Sequence, residues 1–261
     1  MLQLQRLIEL QTELAEKLPY TKKRYLFSQI DWLQKGLAIT GARGVGKTTL
    51  LLQHYKEAYN DPKKCLYVVG DDIDVVTLKL VEIADASYKS GGKCLIIDEV
   101  HKYPNWSQEL KNIYDRYPGL QLIVSGSSTL EINKGKYDLS RRVVSYHLHG
   151  LSFREFISFQ VNKEFEVAPL KDLIKNHVEL SIKIKKELGN NRILDLFSKY
   201  LTYGYFPYYK EGTDTFNLKL VNSLNKVLYE DIPVSFGLKA SSVPSLQKLV
   251  ALVAGLKPFM V

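Results

Sequence analysis

Residues 36–50 read GLAITGARGVGKTTL, and the fold is decided here. Gly41-Ala42-Arg43-Gly44-Val45-Gly46-Lys47-Thr48 fits the pattern G-x-x-x-x-G-K-[ST], and Thr49 extends it. The glycines let the backbone turn several N–H groups toward one anion. The loop opens the apolar helix TTLLLQHYKEAY, so phosphates there also meet the positive end of a helix dipole. Lys47 is placed to reach the β- and γ-phosphates of a nucleotide, and the Thr48 hydroxyl to ligate Mg²⁺. GLAIT, just before the loop, reads as a buried strand. A chance Gly-rich turn lacks this strand–loop–helix context. Residues 41–49 therefore predict a nucleoside triphosphate site.

Outward from the loop, CLYVVG (65–70), CLIID (94–98) and LQLIVSG (120–126) are short apolar runs that read as strands, and RVVSYHL (142–148) alternates and reads as a fifth. Helices are expected over Val75–Tyr88 and Pro104–Tyr117, the second with Asn105 as a cap and Pro118-Gly119 as its stop. Continuous apolar strands alternating with helices indicate a parallel sheet covered on both faces. Upstream, residues 2–18 place leucines at helical spacing up to Pro19, and a basic segment, Lys22-Lys23-Arg24, follows. After Gly150 the character changes. SFREFISF, LKDLIKNHVELSIKIKKEL, RILDLFSKYL, FNLKLVNSLNKVLY and SLQKLVALVAGL all read as helices. Residues 1–150 are thus read as an α/β P-loop domain with an N-terminal helix, and residues 151–261 as a helical lid domain.

Leu95-Ile96-Ile97-Asp98-Glu99 carries the second piece of chemistry. A strand ending in two acids puts carboxylates at the C-terminal edge of the sheet, where ligands of open α/β sheets sit. Asp98 is expected to hold Mg²⁺, and Glu99 to orient and deprotonate an attacking water. Asp followed by Glu suits hydrolysis better than the phosphorylation of a small molecule. The sequence has no NKxD-type guanine-reading motif, which favours ATP over GTP. At the end of the fourth strand, Ser125, or failing it Ser127, can meet the γ-phosphate or the water; a Ser-rich helix cap is the bland alternative. Arg141 or Arg142 can neutralise transition-state charge, in cis or from a neighbouring subunit, or can be a solvated basic pair. His147 and His149 lack a third metal ligand in view, and His101 can simply pack beside the acids. The aromatic run YLTYGYFPYY (200–209) suits a helical core better than base stacking, and Lys183, Lys185 and Lys186 suit a solvated helix face.

Hydrophobic residues make up 45% and charged residues 25% of the 261, the range of an ordinary globular chain. Two cysteines, Cys65 and Cys94, exclude a disulfide scaffold and suit a reduced core. No run approaches the roughly 20 apolar residues of a membrane span, and the N-terminal stretch carries Glu9, Glu13 and Glu16 in place of a basic leader. A cytoplasmic protein is expected. The net charge of +8 is shared equally between residues 1–150 and 151–261, so it marks no basic tail. It leaves a DNA or protein partner, and a homo-oligomer, open.

GARGVGKTTLLLQ, LIIDEVHKYPNWSQELKNIYD, LIVSGSS and DLSRRVVSYHLHGLSFREF occur in that order. Together they resemble the prokaryotic AAA+-type P-loop ATPases, relatives of the signal-transducing STAND class, strongly over about residues 20–160 and more loosely beyond. The resemblance implies a sheet of order 5-1-4-3-2, ATP with Mg²⁺, Glu99 as base and a sensor at the end of the fourth strand. It also implies a C-terminal winged-helix or nuclease-like region. Since this sequence stops within VALVAGLKPFMV, such a region is expected to lie beyond residue 261. The nucleotide state would then move the helical part, with a nucleotide-gated switch of little turnover as the alternative.

Overall fold

The computed structural model describes residues 2–18, 22–127, 139 and 141–256. Pro19, Ser128, Asp138 and Ser140, and residues 257–261 of the final apolar segment, lie outside them. Five strands, β1 (Gly36–Thr40), β2 (Cys65–Val69), β3 (Cys94–Asp98), β4 (Gln121–Gly126) and β5 (Val144–His147), form one sheet of order β2-β3-β4-β1-β5. Every pairing is parallel. The sheet order is the one the resemblance implies.

Alternate residues of each strand go to opposite faces, because side chains in a strand point up and down in turn. Ala38, Val68, Leu95, Ile97, Leu122 and Val124 pack on one face. They meet α3 (Ile73–Leu78), α4 (Leu80–Lys89) and α5 (Trp106–Arg116) through Val75, Leu80, Ile83, Leu110 and Ile113. Leu37, Ile39, Tyr67, Ile96 and Ile123 pack on the other face, against Leu50 and Leu51 of α2 (Lys47–Ala58). Cys65 and Cys94 face each other in register on neighbouring strands, both buried as free thiols.

The first helix, α1 (Leu2–Glu16), covers the edge of β2. Its buried Gln11 donates to the Cys65 carbonyl and accepts from the Tyr67 N–H, 2.9 Å in each case. One side chain thereby supplies what a missing neighbour strand would, and the edge is not left open. Two sequence expectations need correction. The helix expected over Val75–Tyr88 is two helices, broken at Lys79, whose φ is +63°. The break turns Leu80, Ile83 and Ala84 into the core, and the Leu80 N–H is met by the Tyr103 hydroxyl at 3.4 Å. Asn105 precedes α5 in a left-handed conformation and makes no side-chain cap.

Beyond Gly150 the described elements are helical: α6 (Phe153–Val161), α7 (Leu170–Leu188), α8 (Ile193–Tyr203), α9 (Phe216–Lys226), α10 (Ile232–Phe236) and α11 (Val243–Gly255). Ser152 and Glu155 form a reciprocal capping box at the start of α6. A single turn of π-helix, Val227–Asp231, joins α9 to α10. Most of the aromatic run packs as expected, with Tyr200, Tyr203, Phe206, Tyr208 and Tyr209 around Phe156 and Phe216. Contacts cross residue 150. Arg24 is buried, and its guanidinium donates to the carbonyls of Val45, His149 and Gly150 and pairs with Glu155 at 2.8 Å.

Candidate functional site

The loop Gly41–Gly46 leaves the C-terminal end of β1 and enters α2 at Lys47. Gly44 and Gly46 have φ of +84° and +99°, which ordinary side chains avoid. A Cβ on Gly44 would also stand 2.8 Å from the Tyr208 ring, so the loop runs close under the helical part. Lys47 is 5% exposed. Its Nζ donates to the carbonyls of Gly41 (3.1 Å) and Ala42 (3.3 Å) and lies 3.4 Å from Glu99 Oε1. The ammonium is folded back into the loop, held where phosphate oxygens would arrive.

Asp98 ends β3 and is the hub of the site. Its Oδ2 accepts from the Thr48 hydroxyl at 2.5 Å and from the Tyr67 hydroxyl at 2.7 Å. Its Oδ1 accepts from the Ser125 hydroxyl and from the Glu99 N–H. The Ser125 hydroxyl in turn accepts from the Glu99 N–H at 3.0 Å. Burial, with Asp98 alongside, pushes the Tyr67 phenol far above its ordinary value, so it stays a donor. Thr48 and Asp98 thus present adjacent hard oxygen ligands, a donor set that fits Mg²⁺. Glu99 takes a left-handed backbone (φ +50°), uncommon for a residue with a side chain. That turn carries its carboxylate off the strand axis toward Lys47.

The sequence-read residues Gly41–Thr49, Asp98, Glu99 and Ser125 are therefore brought together at the C-terminal edge of the sheet. Ser127 is buried close by in the chain. Arg141 and Arg142 are not at this edge. They enter β5 at its N-terminal end, where the Arg142 carbonyl abuts Gly36 at the start of β1, about 15 Å of strand away from the loop. Arg142 pairs instead with Asp115 at 2.8 Å, and Arg141 is exposed. Both arginines of this chain therefore stand apart from its own loop. His147 contacts Thr40 Oγ1 at 3.0 Å and the His149 ring edge to face.

Several neighbours of the site escaped sequence reasoning. Tyr67 sits in an apolar strand run, and only its hydroxyl signals a second task. Arg24 is one of three adjacent basic residues, and nothing in the sequence separates it from Lys22 and Lys23. A cleft of about 410 Å³ runs from the loop to Phe159, Pro207 and Tyr208 of the helical part. A larger hollow of about 640 Å³, beside Arg24 and α6, contains no residue of the loop and lies apart from this chemistry. Arg43 reaches Asp231 of the π-turn at 3.1 Å.

Among solved structures, the chain is similar to AMPPCP-bound DnaA from Aquifex aeolicus (TM-score 0.40, 17% identity, 95% of this chain and 89% of that one). It is also similar to a replication initiator DnaA bound to AMPPCP and single-stranded DNA (0.41, 18%, 96% and 91%) and to PCH-2 of C. elegans (0.37, 15%, 97% and 62%). An uncharacterized protein of Methanocaldococcus jannaschii is 27% identical over 207 residues, which is 75% of this chain and 43% of that relative. The chain thus spans less than half the length of this curated relative. Residues 33–157 match the family model of the AAA domain, and that segment holds the loop, all five strands and the Asp98–Glu99 pair. Residues 33–157, just under half of this chain, are thus similar to the AAA domain, and the parallel sheet in the order β2-β3-β4-β1-β5 is that of a P-loop fold.

Proposed function

We propose that this chain is a Mg²⁺-dependent ATPase whose nucleotide state moves the helical part, taken as residues 151–261, relative to residues 1–150. One observation carries the reading: Lys47, Thr48, Asp98, Glu99 and Ser125 meet within hydrogen-bond or ion-pair reach at one edge of the sheet. Backbone N–H groups of Gly41–Thr49 cradle the phosphates, and Lys47 exchanges Glu99 for the β- and γ-phosphates. Thr48 and Asp98 hold Mg²⁺, which when bound supplies charge neutralisation at the β- and γ-phosphates. Glu99, released from Lys47, orients the attacking water and takes its proton. Ser125 reports the γ-phosphate to Asp98 and to the Glu99 backbone. The cleft toward Pro207 and Tyr208 offers the base an apolar wall. Arg141, exposed on the far edge, can serve only the site of a neighbouring copy, which ties the arginine role to a homo-oligomer. No helix among the described residues is long and apolar enough to cross a membrane, and a cytoplasmic setting belongs to this proposal.

A second reading, a nucleotide-gated switch with little turnover that acts through a DNA or protein partner, also has an observation behind it. Both Asp98 oxygens are already engaged by the protein, and Glu99 is paired with Lys47. Phosphate release by wild type, Lys47→Ala and Glu99→Gln, with and without DNA, separates the two. Hydrolysis predicts steady release that falls about a hundredfold or more in Glu99→Gln. The switch predicts ATP binding with negligible release. Full affinity and turnover in Lys47→Ala would sink both.

A further inference from the structure

Four charged or titratable side chains form a chain across the seam between the sheet and the helical part. Arg43, in the phosphate loop, holds Asp231 Oδ1 at 3.1 Å. His101 Nε2 stands 4.0 Å from that same oxygen and 3.7 Å from Glu99 Oε2, while the other Glu99 oxygen faces Lys47. Asp231 is 5% exposed, and the His101 side chain 9%. Among the described residues, Arg43 Nε, both ring nitrogens of His101 and Asp231 Oδ2 are buried without a hydrogen-bond partner. Buried polar atoms left unpaired are costly, and each requires an explanation. Asp231 is also the last residue of the π-turn, a helix irregularity that recurs at functional sites.

We infer that Asp231 is a positioning residue for Glu99, acting through His101, so that docking of the π-turn on Arg43 sets where the Glu99 carboxylate stands. The inference rests on the hydrolytic reading above. Glu99 has two claimants. Lys47 draws it into an ion pair that occupies the ammonium needed by phosphate and the carboxylate needed by water. His101 draws it the other way, with an N–H that can bond either Glu99 or Asp231 once the gap closes by under about 1 Å. Asp231, clamped by Arg43, gives the imidazole a second anchor besides Glu99. Without Asp231 the ring loses that anchor and has less hold with which to draw Glu99 off Lys47. The position of the helical part is thereby read out at the base.

The test is steady-state phosphate release by the full chain with Mg·ATP, comparing wild type, Asp231→Asn, His101→Phe and the double variant. Each single variant should lower kcat about tenfold with KM for ATP changed less than threefold. The double variant should be no slower than the slower single one, because both substitutions cut the same linkage. Leu228→Ala, in the same π-turn and also buried, is the control. It should lower Tm, and any loss of kcat in the folded protein should stay smaller than that of Asp231→Asn, because Asp231 itself is left in place. If Asp231→Asn does not fold, His101→Phe must still show the kcat loss at constant KM. A wild type that turns over, with Asp231→Asn or His101→Phe within twofold of it, overturns this inference alone. So does a hundredfold loss in the double variant, which would mean independent effects. A wild type that releases no phosphate overturns the hydrolytic reading and this inference together.

Discussion

The sheet with its flanking helices and the helical part that follows treat apolar side chains differently. In β1, β3 and β4 the inward residues are shut off completely: Leu37, Ile39, Leu95, Ile96, Ile97 and Ile123 are all 0% exposed. In α7 one apolar stripe at four-residue spacing, Leu170, Ile174, Val178 and Ile182, is 57–72% exposed, and Leu194 and Leu201 of α8 are similar. A parallel sheet has two faces to bury and gets helices on both, so its core closes on itself. Helices that pack on only one neighbour have no such closure. The phosphate loop hangs from the closed region, where Lys47 and Asp98 are both buried. The π-turn that touches Arg43 belongs to the open region, which has fewer buried contacts to resist movement.

The largest way to break this contrast is at Arg24, which ties the two regions together. Its guanidinium is buried, binds the Val45 carbonyl beneath the phosphate loop, and pairs with Glu155 at the start of α6. Burial alone would raise the Glu155 carboxyl, but the Arg24 guanidinium and the N–H groups of Ser152 and Tyr25 outweigh it and hold it below its ordinary value. The folded carboxylate is thus harder to protonate than the unfolded one. Its stabilisation is present above the ordinary value of 4.5 and is lost as pH falls through the lowered folded value. Arg24→Ala leaves that buried charge unpaired, at a cost of about 3–5 kcal/mol. Urea unfolding at pH 7 measures it. A loss under about 1 kcal/mol would mean that Arg24 does not join the regions.

A smaller effect tests how tightly the sheet side is sealed. His54 of α2 is buried and stacked on Trp32, with ring centroids 3.8 Å apart. Burial lowers its pKa to about 4, against a weaker opposing pull from Glu57. Here the folded state refuses a proton that the unfolded state accepts. Stability is therefore full above pH 6.5 and declines as pH falls toward 4, by roughly 3 kcal/mol for this one group. His54→Phe keeps the ring and removes the titration. The difference in unfolding free energy between variant and wild type, followed from pH 7 to pH 4, should shift in favour of the variant by that amount. A flat difference would show that water reaches the ring.

The parts legible in the sequence are the ones that depend on local order. GLAIT, the loop and CLIID-Glu99 are contiguous, and their chemistry follows from spacing alone. Strand limits were readable to within a residue or two, because each strand is a short apolar run between breakers. Asp231, Tyr67 and Arg24 were not legible, since each matters through a partner distant in the chain. No periodicity marks the one basic residue of three that turns inward, or an acid that ends a π-turn. Arg141 shows the converse. Its place after the fourth strand fits a catalytic arginine, but a parallel strand starts at the edge opposite the one where the phosphate loop lies.

The smallest expected effect lies on the stripe of α7. Ile174 is 70% exposed, so Ile174→Ser removes little buried surface and should change unfolding free energy by under about 0.5 kcal/mol. Leu95→Ala, wholly buried in β3, should cost about 2–5 kcal/mol in the same denaturant experiment. The two substitutions sit on opposite sides of the contrast drawn above, and their ratio measures it. A loss above about 1 kcal/mol at Ile174 would mean that the stripe is covered in solution. The open face would then be an interface, and stability should rise with protein concentration, because association that favours the folded state adds to it by mass action. Independence from concentration, with Ile174→Ser neutral, leaves α7 as the pliant side of a chain whose rigid side carries the phosphate loop.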